Sequence, residues 1–191
     1  MIDEECTMST LYIYSEKNAG EPLVETQDQK EIARLLAAEG IRFEQWEAGA
    51  KITAESSTDD ILDAYADAVD RLMTEGGYKS VDVINMSPSH PDKAALRQKF
   101  LDEHRHSEDE VRFFVKGDGI FYLHLNDRVL ATQCCAGDLI SVPADTRHWF
   151  DMGDAPNFTA IRIFTNPEGW VAKFTGDKIA SEFPRYEVLA K

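Results

Sequence analysis

Apolar and polar positions change their period about halfway along the chain. Up to about residue 100 two spacings are mixed. Ser9 to Tyr14 and Ile41 to Trp46 alternate with β-prone residues, which predicts two strands. Between them, Thr26 can cap a helix that runs through Ile32, Leu35 and Leu36 to a stop at Gly40. From Thr58 to Glu75, the residues Ile61, Leu62, Tyr65, Val69, Leu72 and Met73 recur at helical spacing, and Gly76-Gly77 ends the run. That predicts one amphipathic helix with an acidic outer face. Lys79 to Asn85 reads as a strand, and Pro91 opens a short helix toward Phe100.

Beyond residue 100 the period shortens. Val111–Val115, Ile120–Leu125, Val129–Gln133, Leu139–Val142 and Phe158–Phe164 are short β-prone runs, separated by turn-forming Gly, Asn, Asp and Pro. Strands at this spacing predict a mainly β fold, an antiparallel barrel or double-sheet jelly roll. No linker or repeat interrupts the chain, so residues 1–191 are expected to form a single compact domain. Its helical and mixed half, about 1–100, packs on a barrel core of about 101–170.

The charge narrows the partners. With 20 Lys+Arg against 35 Asp+Glu the net charge is -15, which repels nucleic acid and anionic membranes alike. No apolar run reaches membrane-helix length, and Met1-Ile2-Asp3-Glu4-Glu5 lacks the basic start of a signal peptide. A cytoplasmic monomer is expected. The 3 cysteines are Cys6 and the neighbours Cys134-Cys135. They form no disulfide framework, and the neighbouring pair reads as small strand residues in a reducing compartment.

The segment His104-Arg105-His106-Ser107-Glu108-Asp109-Glu110 carries the chemistry. Alternation along a strand lets His104 and His106 point the same way, and Glu110 shares their parity. A fully extended strand would carry Glu110 about 20 Å from His104, far beyond the reach of one ion, so the chain must bend at Ser107 to Asp109. A turn over Pro143 to Arg147 brings His148 from a later strand as the fourth candidate. Three imidazoles and a carboxylate suit iron, nickel, cobalt or manganese better than calcium or magnesium. Four protein ligands leave positions open for a substrate that chelates through oxygen. His90 and His124 read as ordinary residues; the parity of His124 can aim it inward, but it has no companion ligand nearby in sequence.

These residues also form two recognisable motifs, His104-x-His106-x3-Glu110-x6-Gly117 and Gly137-x5-Pro143-x-Asp145-x2-His148, which resemble the cupin superfamily. Asp145 stands where that pattern usually has glycine. Within the superfamily, Glu108 to Phe114, His148 to Gly153, Phe158 to Phe164 and Glu168-Gly169-Trp170 resemble the bacterial acireductone dioxygenase family. The resemblance implies a cupin barrel with added N-terminal helices. It also implies an enzyme of methionine salvage that cleaves 1,2-dihydroxy-3-keto-5-methylthiopentene with O2. With iron the products are 2-keto-4-methylthiobutyrate and formate; with nickel they are methylthiopropionate, carbon monoxide and formate. By the same resemblance, His104, His106, Glu110 and His148 hold a single Fe(2+) or Ni(2+) per chain. Glu103 and Asp109 are auxiliary positions in metal incorporation and conformational response, and Arg112 helps to generate the substrate dianion.

The residues support those roles in part. Arg112 and Phe114 continue the inward parity after Glu110, which sets a permanent cation beside the open metal positions. Phe150 and Trp170 can line a pocket for a methylthio tail, or simply be core aromatics. Arg162 either faces the cavity or caps a barrel end. Two alternatives stay open: a cupin oxygenase with another substrate, and a non-catalytic cupin that binds metal or a small ligand.

Overall fold

A computed structural model describes residues 6–166, 168 and 171–190. The first half runs β1 (Thr10–Ser15), β2 (Val24–Thr26), α1 (Gln29–Ala38), β3 (Arg42–Gln45), α2 (Thr58–Ala64), α3 (Ala66–Gly76), β4 (Ser80–Met86) and α4 (Lys93–Leu101). It continues with β5 (His104–Arg105), β6 (Glu110–Lys116), β7 (Asp118–Leu125), β8 (Arg128–Cys135), β9 (Asp138–Val142), β10 (Arg147–Asp151) and β11 (Phe158–Phe164). Then come β12 (Lys173–Phe174), a 3-10 turn at Ile179–Ser181, and α5 (Tyr186–Leu189).

The strands form two antiparallel sheets, in the orders β12-β5-β10-β7-β8-β1-β2 and β3-β9-β6-β11-β4. This is the double-sheet arrangement expected from the short β-prone runs, and the cupin barrel that the resemblance implied. The sheets enclose a core in which Leu11, Phe121, Leu123, Leu130 and Phe150 from one meet Phe43, Phe114, Ile140, Phe158 and Ala160 from the other. Ile32 and Leu36 of α1 join the same core.

Both sheets are covered on their outer faces as well. Ile120, Tyr122 and Trp149 pack against Ala180, Phe183 and Leu189 of the C-terminal segment. Val111, Phe113, Val115 and Ile161 pack against Ile61, Tyr65, Val69 and Leu72 of α2 and α3. Burial on both faces explains why β6 to β8 read as nearly continuous apolar runs rather than as clean alternation.

Three local expectations need correction. The predicted helix from Thr58 to Glu75 is two helices, broken at Tyr65, whose φ of -121° lies outside the helical range. The Tyr65 ring is buried edge-on to Phe113, and its hydroxyl accepts a hydrogen bond from the Ala50 backbone N–H at 3.2 Å. That tertiary anchorage outweighs continuous helical periodicity. The first helix is capped by Asp28, which accepts from the Glu31 N–H at 2.8 Å, rather than by Thr26. Thr26 instead donates to the Glu31 carboxylate at 2.7 Å. Finally, Cys135 is not a plain strand residue, because it is joined to Cys6 by a disulfide. β1 lies beside β8, with Thr10 opposite Gln133, and this pairing brings together cysteines that are 129 positions apart. Cys134 stays a buried free thiol. Among the described residues, no helix is long and apolar enough to cross a membrane.

Candidate metal centre

Three strands deliver the expected ligands to one point between the sheets. His148 on β10 is the direct ladder partner of His104 on β5. His106 follows β5, and the chain then bends at Ser107 and Glu108 before Glu110 opens β6, as the reach argument required. One ring nitrogen from each of His104, His106 and His148 lies within 4.8 Å of the others. All four side chains are buried.

The backbone sets which nitrogen is available. The Nδ1–H groups of His104, His106 and His148 donate to the carbonyls of Asp102 at 2.7 Å, Val171 at 3.2 Å and Thr146 at 2.8 Å. In this tautomer each Nε2 carries a lone pair. Glu110 Oε2 lies 3.2 Å from His106 Nε2 and 3.8 Å from His148 Nε2. Glu110 Oε2 and His148 Nε2 are both buried without a hydrogen-bond partner among the described residues. Lone pairs facing one another in a dry site repel unless a cation lies between them, so this donor set fits a divalent ion. Burial lowers the His104 pKa and pushes His148 down to about 3. Burial alone would raise Glu110, but the Arg112 guanidinium holds it well below the usual carboxylate range. His104, His148 and Glu110 are therefore kept in the unprotonated forms that metals bind.

Asp109 ties the ligand loop to the turn before His148. Its Oδ1 accepts from the Ala144 N–H at 2.8 Å, and the Asp145 N–H donates to the His106 carbonyl at 2.8 Å. Asp145 has φ of 61°, the left-handed conformation that explains glycine as the usual residue there. Glu103 lies outside the ligand cluster. It is buried, with Oε1 bound by the Thr175 hydroxyl at 2.7 Å and Oε2 bound by His124 Nδ1 at 2.6 Å.

A cavity of about 450 Å³ opens beside the histidines. Arg112 lines it, with Nη2 and Nε donating to Glu110 Oε1 at 2.6 and 3.2 Å and the guanidinium over the rings of Phe121 and Phe150. Arg112 Nη1 has no hydrogen-bond partner among the described residues. Arg162 also lines the cavity and makes a two-bond pair with Asp82 at 2.8 and 2.6 Å. Phe150 is both a core aromatic and a cavity wall, whereas Trp170 lies outside the described residues.

Sequence reasoning missed the far wall, built by Met86, Leu96 and Phe100, with His90 and Lys99 also lining the cavity. Pro91 signalled α4, but nothing local showed that the helix would face the ligands. His124 was also missed. It shares the strand parity of Ile120 and Tyr122, which pack away from the inter-sheet core, so it points outward and finds its partners there.

Two antiparallel sheets closed around a donor set of three imidazoles and one carboxylate, with a cavity alongside, define a cupin with a candidate metal centre. The chain belongs to the ARD/ARD′ family, which it matches over residues 10–172. It is 55% identical to an acireductone dioxygenase of Hahella chejuensis, over 95% of this chain and 98% of that protein. A Synechococcus relative of the same name is 58% identical over 93% and 98%. Among solved structures, the fold is similar to an acireductone dioxygenase from Bacillus anthracis with a cadmium ion in its active center. The TM-score is 0.76 at 31% identity, covering 88% of this chain and 99% of the other.

Proposed function

We propose that this metal-dependent dioxygenase cleaves 1,2-dihydroxy-3-keto-5-methylthiopentene with O2 in methionine salvage, using one Fe(2+) or Ni(2+) held by His104, His106, Glu110 and His148. The observation that carries the reading is the pair of buried donor atoms without a hydrogen-bond partner among the described residues, Glu110 Oε2 and His148 Nε2, beside a cavity that His148 lines. When bound, such an ion supplies Lewis acidity toward the chelating oxygens of the substrate.

The remaining chemistry belongs to the chain's own residues. An acireductone is a vinylogous acid and reaches the site as an anion. Arg112 is fixed by Glu110 and two aromatic faces, and its Nη1 is a preorganised donor for that anion. A buried guanidinium favours the doubly deprotonated substrate, which is electron-rich enough to react with O2 directly. Met86, Leu96, Phe100 and Phe150 form an apolar wall for the methylthio tail and exclude water from the reacting end. Asp82 neutralises Arg162, which shapes the wall instead of competing with Arg112 for the anion. Glu103 and Asp109 act outside the ligand set, by holding the ligand strand and the turn before His148.

Iron loading gives 2-keto-4-methylthiobutyrate and formate; nickel loading gives methylthiopropionate, carbon monoxide and formate. The ligand set accepts both metals, so supply selects between them. The chain works as one unit, a monomer in the cytoplasm without nucleic-acid partners, consistent with its net charge of -15.

The test is to strip the purified protein, reconstitute it separately with iron and nickel, and follow O2 uptake and products on acireductone. Two metal-dependent product sets support the proposal. Stoichiometric loading without O2 uptake overturns it in favour of a non-catalytic metal-binding cupin.

A further inference from the structure

We infer that His124 is a positioning residue of the metal centre: it holds Glu103, and through Glu103 the two short strands that carry and flank His104, and so sets how tightly the centre retains its ion. The inference rests on the metal-centre reading above and assigns a role to a residue outside the ligand set.

The ligand strand is unusually short of support. β5 has only 2 residues, His104 and Arg105, and its outer neighbour β12 also has only 2, Lys173 and Phe174, both exposed. Strands this short contribute little stability of their own. What fixes them is the residue just before His104. The Glu103 carbonyl accepts from the Thr175 N–H at 3.0 Å, and its Oε1 accepts from the Thr175 hydroxyl at 2.7 Å. Glu103 therefore clamps the end of β12 to the start of β5.

Glu103 is itself only 1% exposed, so its second oxygen needs a partner. That partner is His124, which is 3% exposed and lies 2.6 Å away through Nδ1. His124 Nε2 is in turn 3.2 Å from the Glu16 carboxylate, which follows β1. The chain Thr175–Glu103–His124–Glu16 thus anchors the lightly paired edge of the sheet to its interior on β7.

Two of the three histidines depend on this edge. His104 follows Glu103 directly, and its ring lies 5.7 Å from that of Phe174. His106 Nδ1 is oriented by the Val171 carbonyl, from the same returning segment. The His148 ring is oriented from its own turn by the Thr146 carbonyl, although its backbone pairs with His104. Loss of His124 leaves a buried carboxylate short of a donor, and the cheapest relaxation moves the lightly held β5 and β12. Two imidazoles then lose their aim. Groups that orient ligands from behind in this way typically change metal affinity about 10- to 100-fold when removed.

The test uses nickel as probe, with its dissociation constant measured by chelator competition on the full chain and melting temperature recorded metal-free. H124L and E103Q are each expected to weaken nickel about 10- to 100-fold. The double variant should be little worse than either single one, because both act on one path. H124Q, which keeps a donor toward Glu103, should recover most of the affinity. A merely structural role would lower the melting temperature without moving the nickel constant of the folded chain, and that result overturns the inference. Independent losses that multiply in the double variant overturn it too. If H124L does not fold, T175V removes the hydroxyl that bonds Glu103 and also accepts from the exposed Asp177 N–H at 3.2 Å, so D177P, which lacks that N–H, serves as its control; a several-fold loss of affinity in T175V beyond that in D177P supports the inference and none overturns it. H148A is the control. If it also leaves nickel affinity unchanged, the metal-centre reading itself has failed.

Discussion

Arg112 donates twice to Glu110 Oε1, at 3.2 and 2.6 Å, while Oε2 of the same carboxylate faces His106 Nε2 at 3.2 Å. One buried carboxylate thus joins the candidate metal ligands to the cation proposed to meet the substrate. On the proposed roles, holding the metal and activating the substrate fall to different residues. R112A is expected to keep stoichiometric metal while lowering kcat/KM by about 10²- to 10³-fold, the usual effect of losing a preorganised charge donor. R112K retains charge without the two-bond fork and should fall between the two. Metal analysis beside O2 uptake checks both, and wild-type turnover in R112A would remove the assigned role.

Acid sensitivity of the metal-free chain follows from two buried groups of opposite sign. His148 titrates at 6.5 when unfolded and is pushed down to about 3 in the fold. The unfolded chain therefore binds the extra proton, and stability falls as pH drops from about 6.5 to about 3. Burial pushes Asp138 up to about 6 from 3.8, so its contribution runs the other way and falls as pH rises between those values. H148F should flatten the acid-side loss and D138N should steepen it, each by up to about 1.4 kcal/mol per pH unit. Denaturant titrations of metal-free protein between pH 4 and pH 7, roughly the span of these shifts, measure the slopes. Equal slopes in all three proteins would contradict the assignment.

Gly117 forms the tight connection between β6 and β7. Its φ is 63°, and an added Cβ would lie 1.9 Å from the Asn157 carbonyl oxygen. G117A must therefore bear both left-handed strain and a backbone clash, and a loss of about 2–4 kcal/mol is expected. Equilibrium unfolding of metal-free G117A reads this directly; a loss under about 1 kcal/mol would show that the turn can relax.

The apolar wall predicts selectivity for the tail. F100A removes an aromatic face from the cavity while leaving Arg112 and the histidines untouched. KM for the methylthio substrate should rise about 10-fold with little change in kcat. An acireductone lacking the thioether should discriminate poorly between wild type and variant. Equal KM values for the methylthio substrate would place the tail elsewhere.

Donor chemistry was legible along the chain. The residue types of His104, His106, Glu110 and His148 and their local spacing are short-range facts, as are the β-prone runs and the turns between them. Even the bend after His106 followed from strand length against metal reach. Other features rest on contacts between segments distant in the chain. The break at Tyr65 is imposed by Phe113 and Ala50, Cys6 meets Cys135 only because β1 pairs with β8, and the α4 wall reaches the ligands only after the sheets close. His124 illustrates the difference most clearly. Its strand and parity could be read locally, but its partners Glu16 and Glu103 lie 108 and 21 positions away, and which side of the sheet is wet or buried is set by packing rather than by pattern.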